Sequence, residues 1–183
     1  MNDKSKEAEL QKLIDMQAIR DLVFRYCRAV DRRNVEQLRE LYHDDAIDDH
    51  GRLADCPAGQ YIDILPKILR KMLATSHQIM NHYIIVDGDY AEGESYVIAY
   101  HLTKDADGKD IEWIAGGRYL DIYQKREGIW KFKYRKIVAD WNQIQASLSN
   151  WNAPMFVGSA RGTVHDSDPS WQVFKLIGRE GGK

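Results

Sequence analysis

Residues 92–124 read EGESYVIAYHLTKDADGKDIEWIAGGRYLDIYQ, and their period of two decides the architecture. On a strand, alternate side chains share a face. Gly93, Ser95, Val97, Ala99 and His101 therefore form one set, and Trp113, Ala115, Gly117 and Tyr119 form the matching set on the next run. Both sets mix small residues with aromatic or imidazole rings, the composition of a pocket wall. The opposite set of Glu112, Ile114, Gly116, Arg118 and Leu120 suits a wetted face or a contact between copies. Similar runs at 81–86 and 129–141 extend the pattern. Asp87-Gly88-Asp89, Ala106-Asp107-Gly108 and Arg126-Glu127-Gly128 supply hairpin turns between the runs, so the sheet is expected to be largely antiparallel.

Upstream the period changes. Leu13, Ile14, Ile19, Leu22, Val23, Tyr26 and Val30 recur at helical spacing with charged residues between them, which predicts an amphipathic helix over 10–30. Asn34, followed three residues later by Gln37, reads as the N-cap of a second helix carrying Val35, Leu38, Leu41 and Tyr42. Asp31 then falls at the joint between the two. A short strand is expected over 46–53 and a third helix over 61–74, with Pro66 inside it. Helices followed by strands define an α+β fold. One domain is expected across residues 1–183, with its core over about 10–141 and a tail over 142–183 that serves partly as a lid or oligomer contact.

Composition narrows the partners. Of 183 residues, 44% are hydrophobic and 30% charged, with a net charge of −2, which offers no electrostatic bias toward nucleic acid or anionic membranes. The polar opening, MNDKSKEAELQK, and the lack of any run of ~20 apolar residues point to a cytoplasmic protein that engages no membrane. Cys27 and Cys56 form no CxxC, and Cys27 sits at an apolar helix position, as a buried thiol does.

No GxGxxG, P-loop, HExxH or GxSxG is present, so chemistry is expected from side chains without a cofactor. The histidines lack short ligand spacing, and no metal is expected. The candidates are Asp31, His77 just before the first long strand, His101 near the end of the second, and His50 near the early strand. A histidine beside an aspartate is held in one tautomer and can remove a proton. From pattern alone each also has an ordinary reading: Asp31 as a helix-end cap, His77 as a strand-end polar residue, His101 as a core histidine, and Tyr26 and Tyr119 as core aromatics. His82 reads as an ordinary strand residue.

The order and spacing of several segments resemble the nuclear transport factor 2-like superfamily. Within it they resemble the SnoaL-like branch, which includes scytalone dehydratase, hexachlorocyclohexane dehydrochlorinase and bile-acid 7α-dehydratase. The segments are Tyr26-Cys-Arg-Ala-Val-Asp31, Leu41-Tyr-His-Asp-Asp-Ala-Ile-Asp-Asp-His50, Thr75-Ser-His77 with Asn81, Val86-Asp-Gly-Asp-Tyr-Ala-Glu-Gly93, and Gly117-Arg-Tyr-Leu-Asp121 followed by Gly128-Ile-Trp130. The resemblance spans about 16–141. It implies a curved antiparallel sheet wrapped around N-terminal helices as a cone with a deep cavity, the cystatin-like α+β barrel.

By the same resemblance His77 is the general base and Asp31 its partner. His101 matches a second active-site histidine, and Tyr26 matches a helix tyrosine able to act as an acid. The chain has Val30 and His50 where scytalone dehydratase has tyrosines. Tyr26, His50, His101, Trp113, Tyr119 and Trp141 are the expected substrate contacts, with Met155 and Phe156 of the tail as further candidates. Flat apolar surface with few polar anchors suits a small aromatic or alicyclic guest. The implied activity is that of a cofactor-independent lyase, with dehydratase-type elimination ahead of carbon-carbon cleavage that releases formaldehyde. The rival readings are a non-catalytic binding protein, the small subunit of a ring-hydroxylating oxygenase, and a polyketide cyclase or isomerase. A homotrimer is expected, with a dimer as runner-up.

Overall fold

Ile19, Leu22, Val23, Tyr26 and Val30 form one buried stripe along a helix that runs further than its apolar pattern, α1 (Asp3–Arg32). This computed structural model describes residues 3–52, 54–164 and 167–177. Leu13 and Ile14, expected on the same stripe, are instead exposed. Arg33 takes a positive φ of 56° and ends the helix, with the amide of Asn34 donating to Ala29 at 2.8 Å. Asn34 then caps α2 (Val35–Leu41) as expected, its side chain accepting from the amide of Gln37 at 3.0 Å. Asp31 therefore lies in the last turn of α1.

The chain continues through β1 (Tyr42–Asp49), β2 (Asp55–Pro57), α3 (Ala58–Leu69), β3 (Ala74–Asp87), β4 (Tyr90–Lys104), β5 (Asp110–Arg126) and β6 (Ile129–Ala146). The early strand starts and ends before the expected 46–53, whose last position lies outside the described residues. Pro66 sits inside α3, as expected, and the helix ends at Leu69, short of residue 74.

The larger correction concerns β3. It begins at Ala74, seven residues before the expected start, so His77 is part of the strand and pairs with Ala99 of β4. The polar stretch Ala-Thr-Ser-His-Gln hides this from a hydrophobic pattern, since it is the register with β4 that makes it a strand.

Six strands form one curved, unclosed sheet in the order β2-β1-β6-β5-β4-β3. All neighbours are antiparallel except β1 and β6, which run parallel. The helices and the concave face share a core that includes Ile19, Tyr26, Leu38, Leu41, Ile62, Tyr123 and Phe132. Beneath it Arg135 and Asp121, both with fully buried side chains, form a bidentate pair at 2.7 and 2.8 Å. The guanidinium lies 4.1 Å from the ring centre of Tyr26 and 4.2 Å from that of Tyr119. A buried cation thus floors the region where the aromatic residues meet.

The tail returns to α1. Arg32 bonds Asp168 at 2.9 Å, and Arg28 reaches Ser170 and the ring of Trp171 in the short α4 (Ser170–Val173). Met155 and Phe156 are exposed and do not border the cavity described below. Among the described residues no helix is long and apolar enough to cross a membrane.

Candidate active site

The last turn of α1 and the start of β3 meet at Asp31 and His77. Asp31 Oδ1 accepts from the Nδ1 of His77 at 2.7 Å, and Oδ2 accepts from the backbone amide of the same residue at 2.9 Å. One carboxylate thus fixes both the ring and the strand that carries it. Where Nδ1 donates to the carboxylate, the neutral ring carries its lone pair on the other nitrogen, Nε2. Nε2 has no hydrogen-bond partner among the described residues. Burial pushes the Asp31 carboxyl up, but the hydrogen bonds and charge of His77 outweigh it and hold the group below the usual carboxylate range.

His77 borders a cavity of about 340 Å³ whose wall is mostly apolar. Val97, Ala99 and His101 of β4 and Trp113, Ala115, Gly117 and Tyr119 of β5 line it, as strand parity singled out, but Gly93 and Ser95 of the same β4 set do not, and Gly116 of the opposite β5 set does. Leu65, Leu69 and Met72 close another side from α3 and the residues after it. The ring of His101 stands edge-on to that of His77, with centroids 5.5 Å apart. Burial, then the neighbouring His77, lowers the pKa of His101 and favours its neutral form. A more polar hollow of about 330 Å³ borders the same pair from the side of Phe24, Arg28 and Arg32.

The expected contacts divide. Tyr26, His50, His101, Trp113 and Tyr119 all line the cavity with His77. Trp141 does not. Its indole occupies the place a side chain on Gly116 would take, 2.0 Å from an ideal Cβ there, after a register shift between Gly116 and Gly117. Its flat apolar surface made it a candidate, but that criterion carries no information on register.

Two residues outside the sequence-based set belong to this site. Asp48 is fully buried, accepts from the hydroxyl of Tyr42 at 2.6 Å, and accepts a short hydrogen bond from the Nδ1 of His50. Tyr61 of α3 places its hydroxyl 3.1 Å from His50 Nε2 and 3.3 Å from the hydroxyl of Tyr26. Asp48 lies within the short strand expected over 46–53 and is not among the sequence-based candidates. Its spacing of two from His50, which puts both on one face of a strand, was the available signal. Burial drives the Tyr26 and Tyr61 phenols well above the ordinary tyrosine value, so both remain protonated donors. Cys27 is a buried thiol, pushed up to about 12 mainly by burial.

A helix-capped, curved sheet around an apolar pocket is the architecture of one protein family. The model of the SnoaL-like domain matches residues 11–136, and the chain belongs to that family, within the nuclear transport factor 2-like group. Among solved structures it is similar to a candidate scytalone dehydratase from Novosphingobium aromaticivorans, with 26% identity over 74% of this chain and 92% of that one, at a TM-score of 0.64. The hexachlorocyclohexane dehydrochlorinase LinA-type3 from Novosphingobium barchaimii is 21% identical over 78% of this chain and 97% of that one, at 0.65. A protein of the same superfamily with a cystatin-like fold, also from Novosphingobium aromaticivorans, is 19% identical over 76% and 90%, at 0.63.

Proposed function

We propose that this protein is a cofactor-independent lyase in which His77 is the general base and Asp31 its orienting partner, acting on a small aromatic or alicyclic substrate. The observation that carries this reading is the double grip of Asp31 on His77, which leaves Nε2 with a lone pair at the wall of an apolar cavity. His77 accepts a proton from the substrate, and the freed electron pair forms a double bond. The leaving group departs with its bonding pair. Asp31 stays ionised and stabilises the imidazolium. Tyr26, a protonated phenol on the same cavity, donates to the departing oxygen, and His101 orients it.

The same groups serve two reactions. Removal of a C–H proton gives elimination of water, and removal of a hydroxyl proton gives carbon-carbon cleavage with loss of formaldehyde. Dehydration is placed first, because a C–H proton calls for a fixed base in a dry site, and His77 and its apolar surroundings supply both. The scytalone dehydratase likeness points the same way.

The test is a screen of aryl alcohols, diaryl propanes and hydroxylated alicyclics with chelator-treated enzyme, products being read by mass. Loss of water or of formaldehyde that disappears in Asp31→Ala and His77→Ala supports the reading. Turnover that persists in both variants rejects it.

A further inference from the structure

The cavity that His77 borders is also lined by His50, which has its own aspartate, Asp48, in an arrangement of the same kind that the base does not use. His50 is held at Nδ1 by Asp48, which is itself anchored by Tyr42. Its Nε2 turns toward two phenols, Tyr61 at 3.1 Å and Tyr26 at 3.5 Å, whose hydroxyls are 3.3 Å apart. The rings of His50 and Tyr61 stack with centroids 4.3 Å apart, which fixes the imidazole plane. His50, Tyr61 and Tyr26 all line the cavity that His77 lines.

A purely structural role explains this poorly. A buried aspartate is costly unless it is paired, and an apolar residue of similar size at position 48 could fill the same space. The carboxylate is satisfied by two donors only because a histidine and a tyrosine are also brought in. The chain of groups ends at the pocket rather than in the core.

We propose that Asp48, His50, Tyr61 and Tyr26 form a proton-delivery relay for the leaving oxygen, so that the cavity holds an acid arm distinct from the His77 base and takes substrates whose leaving group is an oxygen. This deepens the lyase reading and rests on it. In the relay the C–O bond breaks with its electron pair on oxygen, and that oxygen takes the proton of the Tyr26 hydroxyl. Tyr26 is reprotonated from the His50 imidazolium, directly or through Tyr61. Asp48 keeps its charge throughout and acts as a positioning residue. His77 has meanwhile gained the substrate proton, so one proton enters the base arm and one leaves the acid arm, and exchange with water resets both.

The experiment is histidine-ring NMR on the full chain with 4-nitrophenol, a flat apolar ring with oxygen at both ends. At saturation the ring signals of both His50 and His77 are expected to shift. Asp48→Asn is expected to strip the His50 ring of one of its two protons, because the imidazolium loses its counter-charge. His50→Gln is expected to weaken 4-nitrophenol binding about tenfold, the weight of one hydrogen bond to a charged group. A shift at His77 with none at His50 overturns the relay and leaves the base reading standing. A shift at His50 alone keeps the relay and removes the base reading, and no shift at either overturns both. An unchanged His50 protonation state in folded Asp48→Asn also counts against the relay. His50→Gln, placed at the wall, keeps the test decisive where Asp48→Asn fails to fold.

Discussion

Asp31 grips His77 through two separate bonds, one to the ring and one to the backbone amide, across 46 positions of sequence. An asparagine at 31 can still accept from the amide but brings no charge to an imidazolium. Asp31→Asn is therefore expected to keep the fold, shown by an unchanged far-ultraviolet spectrum, and to lower kcat by about a hundredfold. His77→Gln removes the base itself and is expected to cost a thousandfold or so, within the usual range for general base catalysis.

Acid should weaken the protein partly through the same carboxyl. The folded pKa of Asp31 lies below its unfolded value of about 3.9, so the unfolded chain binds more protons between the two. The stabilisation is complete above the unfolded value and fades as pH falls through the folded one. The melting-temperature advantage of wild type over Asp31→Asn should thus shrink from about pH 6 to about pH 3. Other depressed carboxyls, such as Asp45 and Asp49, cancel in that difference. An advantage that grows in acid contradicts the assignment.

Gly116 and Gly117 are adjacent yet should respond differently to alanine. A Cβ at 116 meets the Trp141 indole at 2.0 Å, whereas a Cβ at 117 meets the backbone carbonyl of Val138 at 2.2 Å. A side chain can yield more easily than a strand. Gly116→Ala is expected to cost about 1–3 kcal/mol and to recover much of it when combined with Trp141→Ala. Gly117→Ala should be the worse change, with no such rescue, and urea denaturation of the four variants reads the comparison.

The buried pair beneath the cavity makes a sharper demand. Asp121→Asn leaves the Arg135 guanidinium without its counter-charge in a fully buried site and is expected to cost about 3–5 kcal/mol. Replacing both by apolar residues of matched volume should cost less than replacing Asp121 alone. Chemical denaturation distinguishes the two outcomes.

Tyr83 and Ile85 of β3 are 71% and 52% exposed, and Tyr96 of β4 adds to the apolar area beside them. Association of copies through this face is expected to give a homotrimer in light scattering. A monomer at all concentrations removes that expectation.

What the residues disclosed follows from the range of the interactions involved. The wall sets on β4 and β5 were legible because alternation is local, and Asn34 was legible as a cap because its partner Gln37 is three residues away. The meeting of Asp31 with His77 was reached through resemblance, since no local rule joins residues so far apart. Asp48 was missed because its burial comes from β1 lying parallel to β6, where it faces Arg135, a pairing made across nearly half of the chain. The displaced start of β3 and the altered orientation of Trp141 share one cause. Both depend on register with a neighbouring strand, which hydropathy does not encode.

β3 has a neighbour on one side only. The amide of His77 points from that open margin and would offer a docking point to any extended peptide, but it is occupied by a carboxylate from the end of α1. The carboxylate that holds the His77 ring through one oxygen therefore stands guard against unwanted strand addition through the other. Removing the acceptor altogether, as in Asp31→Ala, should bare that amide and leave a molecule prone to self-association, whereas Asp31→Asn, which can still accept from it, should not.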